Sequence, residues 1–162
     1  MKLRLSVGQK PISGYVNVDP APVLEDEKVG QFVIKPIDFR TMEYFDTAKQ
    51  AECMEILIDR AVDYIRFDAL ESFISTMCSK LRKYGIIYLI GLDITEVTRK
   101  YYNDESTEEE YNLLLFGSGN HPWAFKNGCY SVHTIGDLLV KNGLTIQTKS
   151  INDSFYEISG KR

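Results

Sequence analysis

No apolar run in the 162-residue sequence is long; the longest, Ile86–Ile90, is strand-sized. A membrane span needs roughly 20 apolar residues, so none is expected. The N-terminal MKLRLSVGQK holds three basic residues and no apolar core, so it is not expected to be a secretory signal peptide. Cysteine is scarce. Cys53, Cys78 and Cys129 are odd in number and far apart, and neither a CxxC pair nor a Cys/His ligand spacing occurs. Buried free thiols in a reducing compartment are expected, with no metal site. Basic charge is not in excess: 19 Lys and Arg stand against 23 Asp and Glu, a net charge of −4. Without a basic field to hold a phosphate backbone, nucleic acid is not an expected partner. Internal repeats and low-complexity tracts are missing too.

What is present is the make-up of an ordinary globular chain, 44% hydrophobic and 26% charged. The length fits one domain, residues 1–162, with a real core. A cytoplasmic location and no membrane partner are the matching expectations; the oligomeric state is not indicated.

The stretch LRLSVGQKPISGYVNVD, Leu3–Asp19, is the most informative. Leu3, Leu5 and Val7 alternate with polar residues, and Tyr15, Val16 and Val18 run up to an acid, so two short strands flank a loop. One reading is a hairpin. The other is a loop, with Gly8 and Gly14, that holds a nucleotide-type ligand through backbone amides, with Asp19 accepting from ribose hydroxyls. The chain Pro20–Gln31, with three acids and two prolines, reads as an exposed excursion. Phe32–Lys35 is a third strand stopped by Pro36, Met42–Ala51 a short helix, and Cys53–Asp59 a fourth strand.

Asp68 and Glu71 have capping-box spacing ahead of Leu70, Phe73, Ile74, Met77 and Leu81, which recur at helical intervals. Gly85 is read as the stop of that helix. GIIYLIG, Gly85–Gly91, then suits a strand buried on both faces, as in a parallel sheet. Asp93–Tyr102 is read as helix, Ser106 and Glu109 as a second capping box, and Gly117–Tyr130 as loop. Ser131–Gly143 follows as a helix with Ile135, Leu138 and Leu139 inward and Gly143 at its C-terminal stop. The strands at Leu144–Lys149 and Phe155–Ser159 are close enough to pair as a hairpin. Strand–helix alternation predicts an α/β fold. The short link Gln9–Gly14 alone favours a hairpin between the first two strands, since parallel neighbours usually need a longer crossover.

Over nearly its whole length the sequence resembles the class I S-adenosylmethionine-dependent methyltransferases, especially a compact bacterial and phage branch. LRLSVG, then QKPIS, then GYVNVD is similar to that branch's LNLGCG, proline-containing link and GYxNVD. PIDFR matches its acid after the third strand, AVDY (Ala61–Tyr64) its VLEH, and KLRKYGIIYL its LKPGG followed by the fifth strand. LLLFGSGNHPW, the next helix and NGL are similar to its C-terminal half. The resemblance implies a Rossmann-like methyltransferase fold, a mostly parallel twisted sheet with an antiparallel C-terminal strand pair. It also implies parallel first and second strands, because the branch has no helix between them. Ser6 replaces the first loop glycine, Lys10 a third, Tyr64 the His of VLEH, and Asp63 shortens its Glu.

The implied cofactor is S-adenosylmethionine, and the implied reaction is methyl transfer to a small-molecule or glycan-type acceptor. The alternative is a non-catalytic Rossmann-like binding or interaction module that has lost methyl transfer. Candidate cofactor residues are Ser6, Gly8, Asp19, Asp38, Phe39 and Asp59. Asp38 would accept from the adenine amino group and Phe39 would cover the ring. Plainer readings stand beside these: a turn acid for Asp19, a loop glycine for Gly8, a surface acid for Asp38. Candidate acceptor contacts are Asp63, His121 and His133. For them the plainer readings are a polar face residue, a surface loop and a residue at a helix cap.

Overall fold

The computed structural model describes residues 1–21, 32–36, 38–40, 47–120 and 122–162. Its strands are β1 (Lys2–Leu5), β2 (Val16–Val18), β3 (Val33–Lys35), β4 (Cys53–Asp59), β5 (Leu81–Leu92), β6 (Thr145–Asn152) and β7 (Phe155–Lys161). Its α-helices are α1 (Leu70–Lys80), α2 (Ile94–Tyr102), α3 (Glu108–Phe116) and α4 (Val132–Lys141). The strands form one sheet in the order β3-β2-β1-β4-β5-β7-β6. β1 through β5 are mutually parallel, and β7 runs antiparallel to both β5 and β6. This is the Rossmann-like architecture expected. β1 pairs parallel with β2 although the link between them, Ser6–Tyr15, contains no helix.

The register explains the core. Leu3 pairs with Ile56 and Leu5 with Ile58, and these continue into Ile87 and Leu89 and then Gly160 and Ile158. Side chains alternate along a strand, so these residues share one face. Phe73, Ile74 and Met77 of α1 and Ile135 and Leu139 of α4 join them in a single buried cluster. At about 25 cal/mol per Å² of apolar surface removed from water, this cluster is the main source of stability.

Several local expectations are corrected. The Ile86–Ile90 run is buried on one face only: Ile87 and Leu89 are inaccessible, whereas Tyr88 is 39% exposed. The proposed Asp68/Glu71 capping box does not form. Asp68 instead takes two hydrogen bonds from Arg66, at 2.7 and 3.1 Å, and α1 starts without a side-chain cap. α1 ends at Lys80 rather than at Gly85, and β5 begins at once. Gly85 sits instead where the β4–β5 register shifts between Cys53 and Glu55. A Cβ there would lie 2.9 Å from the Arg82 carbonyl and 3.0 Å from that of Cys53, so glycine serves close backbone approach. The cap of α3 lies one residue later than read: Thr107 and Glu110 form the reciprocal box.

Residues 42–46 of the expected short helix and residues 22–31 of the expected excursion lie outside the described residues; 47–51 form bends and turn, not helix. α4 ends as read. Gly143 has a φ of +81°, and the amides of Leu144 and Gly143 donate to Leu139 and Val140 in a Schellman closure. Cys53 and Cys78 are buried and Cys129 is half-buried; burial pushes the Cys78 thiol up to about 11 and that of Cys129 to about 12. Among the described residues no helix is long and apolar enough to cross a membrane.

Candidate functional site

The sheet has a switch point. From β1 the chain builds outward to β2 and β3, and from β4 it builds the other way to β5. In open α/β sheets the crevice beyond the carboxyl ends of the strands at such a point is the usual ligand site. Here Ser6–Gln9 follow β1, Asp19 follows β2, Asp38–Arg40 follow β3 and a 3-10 turn over Ala61–Tyr64 follows β4.

Asp19 is 2% exposed and is held from four sides. Its Oδ2 accepts from the Ser6 hydroxyl at 2.8 Å and the Gln9 amide at 3.1 Å. Its Oδ1 accepts from the Gly8 amide at 3.0 Å and the Ala21 amide at 2.9 Å. A carboxylate offers about four lone-pair positions, and all are taken within the chain. Gly8 meets this geometry through conformation rather than space. Its φ is +65°, and the nearest atom to a built Cβ is 3.9 Å away.

The other acids are also engaged. Asp59 takes a hydrogen bond at 2.5 Å from Arg4, whose other terminal nitrogen donates to the Lys10 carbonyl at 2.6 Å. Arg4, with its side chain 4% exposed, thus braces the β1 loop against β4. Asp38 accepts from Arg40 at 2.7, 3.0 and 3.2 Å through the guanidinium and at 2.9 Å through the backbone amide. These bonds, with the nearby positive charge, hold the Asp38 carboxyl below its ordinary range despite partial desolvation. Phe39 is fully buried and packs near Phe73 and Trp123, with ring centroids 6.5 and 6.2 Å away.

On the β4 side, Asp63 is 1% exposed. Its Oδ1 accepts from the Leu92 amide at 3.2 Å. The Lys126 ammonium stands 3.3 Å from Oδ2 as an ion pair, without the alignment of a hydrogen bond. Burial raises the Asp63 pKa, and the Lys126 charge, the Leu92 amide and Arg60 oppose that rise. Tyr64 is raised as well, first by burial and then by the negative charges of Asp63 and Asp19. Its ring lies 6.3 Å from that of Trp123.

The fold therefore gathers Ser6, Gly8, Asp19, Asp38, Asp59 and Asp63 at the carboxyl-terminal ends of β1 to β4. It keeps His133 apart. That residue is exposed on α4 and shares a 2.9 Å hydrogen bond with Lys149 of β6, the far edge strand. His121 lies outside the described residues. Arg4, Arg40 and Lys126 were not singled out from the sequence. A charged residue inside an alternating strand was the only local signal for Arg4. Arg40 stands two residues from Asp38, but nothing local tied it to Trp123 or Lys126 to Asp63.

No protein-family model and no curated protein sequence matches the chain. Solved structures do. A SAM-dependent methyltransferase from Archaeoglobus fulgidus aligns with a TM-score of 0.61 and 13% identity, over 99% of this chain and 86% of that one. The Burkholderia thailandensis 1,6-didemethyltoxoflavin-N1-methyltransferase, solved with 1,6-didemethyltoxoflavin and S-adenosylhomocysteine bound, aligns at 0.58 and 11% identity, over 99% and 70%. An O-methyltransferase family protein from the same organism aligns at 0.56 and 11% identity, over 82% of this chain, which spans only 36% of that protein's length. With seven strands in the order described and the change of strand order falling between β1 and β4, the chain has the fold of the class I S-adenosylmethionine-dependent methyltransferases.

Proposed function

We propose that the chain binds S-adenosylmethionine in the switch-point crevice and transfers its methyl group to a small-molecule or glycan-type acceptor. One observation carries this reading: a buried acid, Asp19, stands at the tip of β2 against a left-handed glycine loop from β1. The bound cofactor would supply an electrophilic sulfonium methyl. Asp19 would hold the ribose hydroxyls, which requires that ligand groups replace some of the loop donors now on its oxygens. Asp38 and Trp123 would take the base. The fit of that subsite is supported by its present occupant, since the Arg40 guanidinium is itself a flat N–H donor held by both residues. Trp123 takes over the ring-covering role expected of Phe39, which backs it from the core. Ser6 and Gly8 orient Asp19, and Asp59 sets the loop height through Arg4.

Asp63, Tyr64 and Lys126 form the acceptor side. Asp63 is the one acid there whose pKa burial raises, which makes it the residue assigned to take up the acceptor's proton. Alignment in a dry crevice does the remaining work of an in-line displacement. His133 has no part in this reading. Titration calorimetry with S-adenosylmethionine and S-adenosylhomocysteine is the test: saturable binding is expected, and no heat at roughly millimolar ligand would refute it. A second reading, a non-catalytic binding or interaction module, is favoured by the internal engagement of Asp19, Asp38 and Asp59. Binding without methylation across a panel of acceptors would select it.

A further inference from the structure

The Asp38–Trp123 subsite already has an occupant. The Arg40 guanidinium carbon lies 3.8 Å from the centroid of the Trp123 ring. Phe39 and Tyr64 meet the same ring tilted, at 44° and 57°, whereas the Arg40 guanidinium lies over it. The same guanidinium is forked onto Asp38, with Nη2 2.7 Å from Oδ2 and Nε 3.0 Å from Oδ1. Stacking on an aromatic face while donating N–H groups to a carboxylate is what a planar amino-bearing base does, and it is what an arginine fork does best. The local chain produces this arrangement. Asp38 accepts from the Arg40 amide two residues on at 2.9 Å, a turn that folds the Arg40 side chain back over its own acid.

Building on the cofactor reading above, we infer that Arg40 is an internal stand-in for the nucleobase: it fills the Asp38–Trp123 subsite, must swing out before a purine enters, and so sets the affinity of the crevice. The exchange is feasible because the pair is not sealed in. The side chains of Arg40 and Asp38 are 30% and 37% exposed, and ion pairs this accessible are weak. A displaced Arg40 keeps its charge in water, whereas the buried Arg4 cannot leave Asp59 without stranding a charge. Arg40 is thus a specificity-determining residue. Ligands that both stack and donate compete with it, and ligands that only stack compete poorly.

The test uses Arg40→Ala and Arg40→Lys beside the parent chain, with S-adenosylhomocysteine and adenosine as probes. Trp123 is the only tryptophan in the chain, so its emission reports occupancy of the subsite directly, alongside calorimetry. Arg40→Ala should bind both probes about tenfold more tightly, the scale of one exposed ion pair and one stacked cation removed from competition. Arg40→Lys keeps the charge but not the flat fork, and should fall between parent and alanine variant. It also keeps the experiment decisive if Arg40→Ala folds poorly. Equal or weaker binding by the variants, with the parent still binding, would overturn the stand-in, and weaker binding would mean that Arg40 clasps the ligand; the cofactor reading would survive. No binding and no Trp123 response in any of the three would overturn both.

Discussion

Asp19 is the residue on which loop and ligand converge, and its four internal hydrogen bonds change what its removal does. Asp19→Ala leaves the Ser6 hydroxyl and three backbone amides without their acceptor. Stranded buried donors cost about 1–3 kcal/mol, so urea denaturation should register a loss of about 3 kcal/mol before any ligand is added. A loss below about 0.5 kcal/mol would reduce Asp19 to a turn acid. Asp63 gives a pH signature. Its folded pKa is raised, so the neutral form is favoured in the fold. Its contribution to stability is present in full below the ordinary carboxylate range and is lost as pH rises through the folded value. Asp63→Asn removes that loss. The stability difference, variant minus parent, should therefore grow more positive from about pH 4 upward, read from denaturation midpoints across pH. A flat difference would contradict the assigned direction.

At the scale of elements, the strands and α4 were legible in the sequence because alternation and the Gly143 stop are local signals. The cap of α3 was legible only as a choice. Ser106-Thr107-Glu108-Glu109-Glu110 contains two overlapping boxes, and the backbone selected the second. Thr107→Ala should accordingly cost about 1 kcal/mol of local helix stability, and Ser106→Ala close to nothing. Because α3 buries none of its residues, amide exchange is the proper readout and global unfolding is not. Gly85 was misread for a related reason. A glycine after a helix looks like a stop until the Cys53 carbonyl, on another strand, is known to lie against it. Gly85→Ala should cost about 1–3 kcal/mol by overpacking the register shift, seen as a lower midpoint with an unchanged denaturant slope.

The whole molecule answers the question raised by its first loop. A hairpin was the local preference for Leu3–Asp19, but β1 lies between β2 and β4 with both neighbours parallel. Only this arrangement puts the Ser6–Gln9 loop and Asp19 side by side. The acid at the strand tip was therefore visible in the sequence, and its donors were not, because they approach it only once the sheet is assembled. The Arg40–Trp123 contact was hidden for the same reason: it joins the turn after β3 to the segment between α3 and α4, distant stretches of chain. The most direct measurement is an amide and indole nuclear magnetic resonance titration of the intact chain with S-adenosylhomocysteine. Saturable shifts are predicted at Ser6–Gln9, Asp19, Arg40, Tyr64 and the Trp123 indole, with α3 and the β6–β7 hairpin unmoved. No shifts, or shifts confined to α3 and the hairpin, would contradict a cofactor crevice at the switch point.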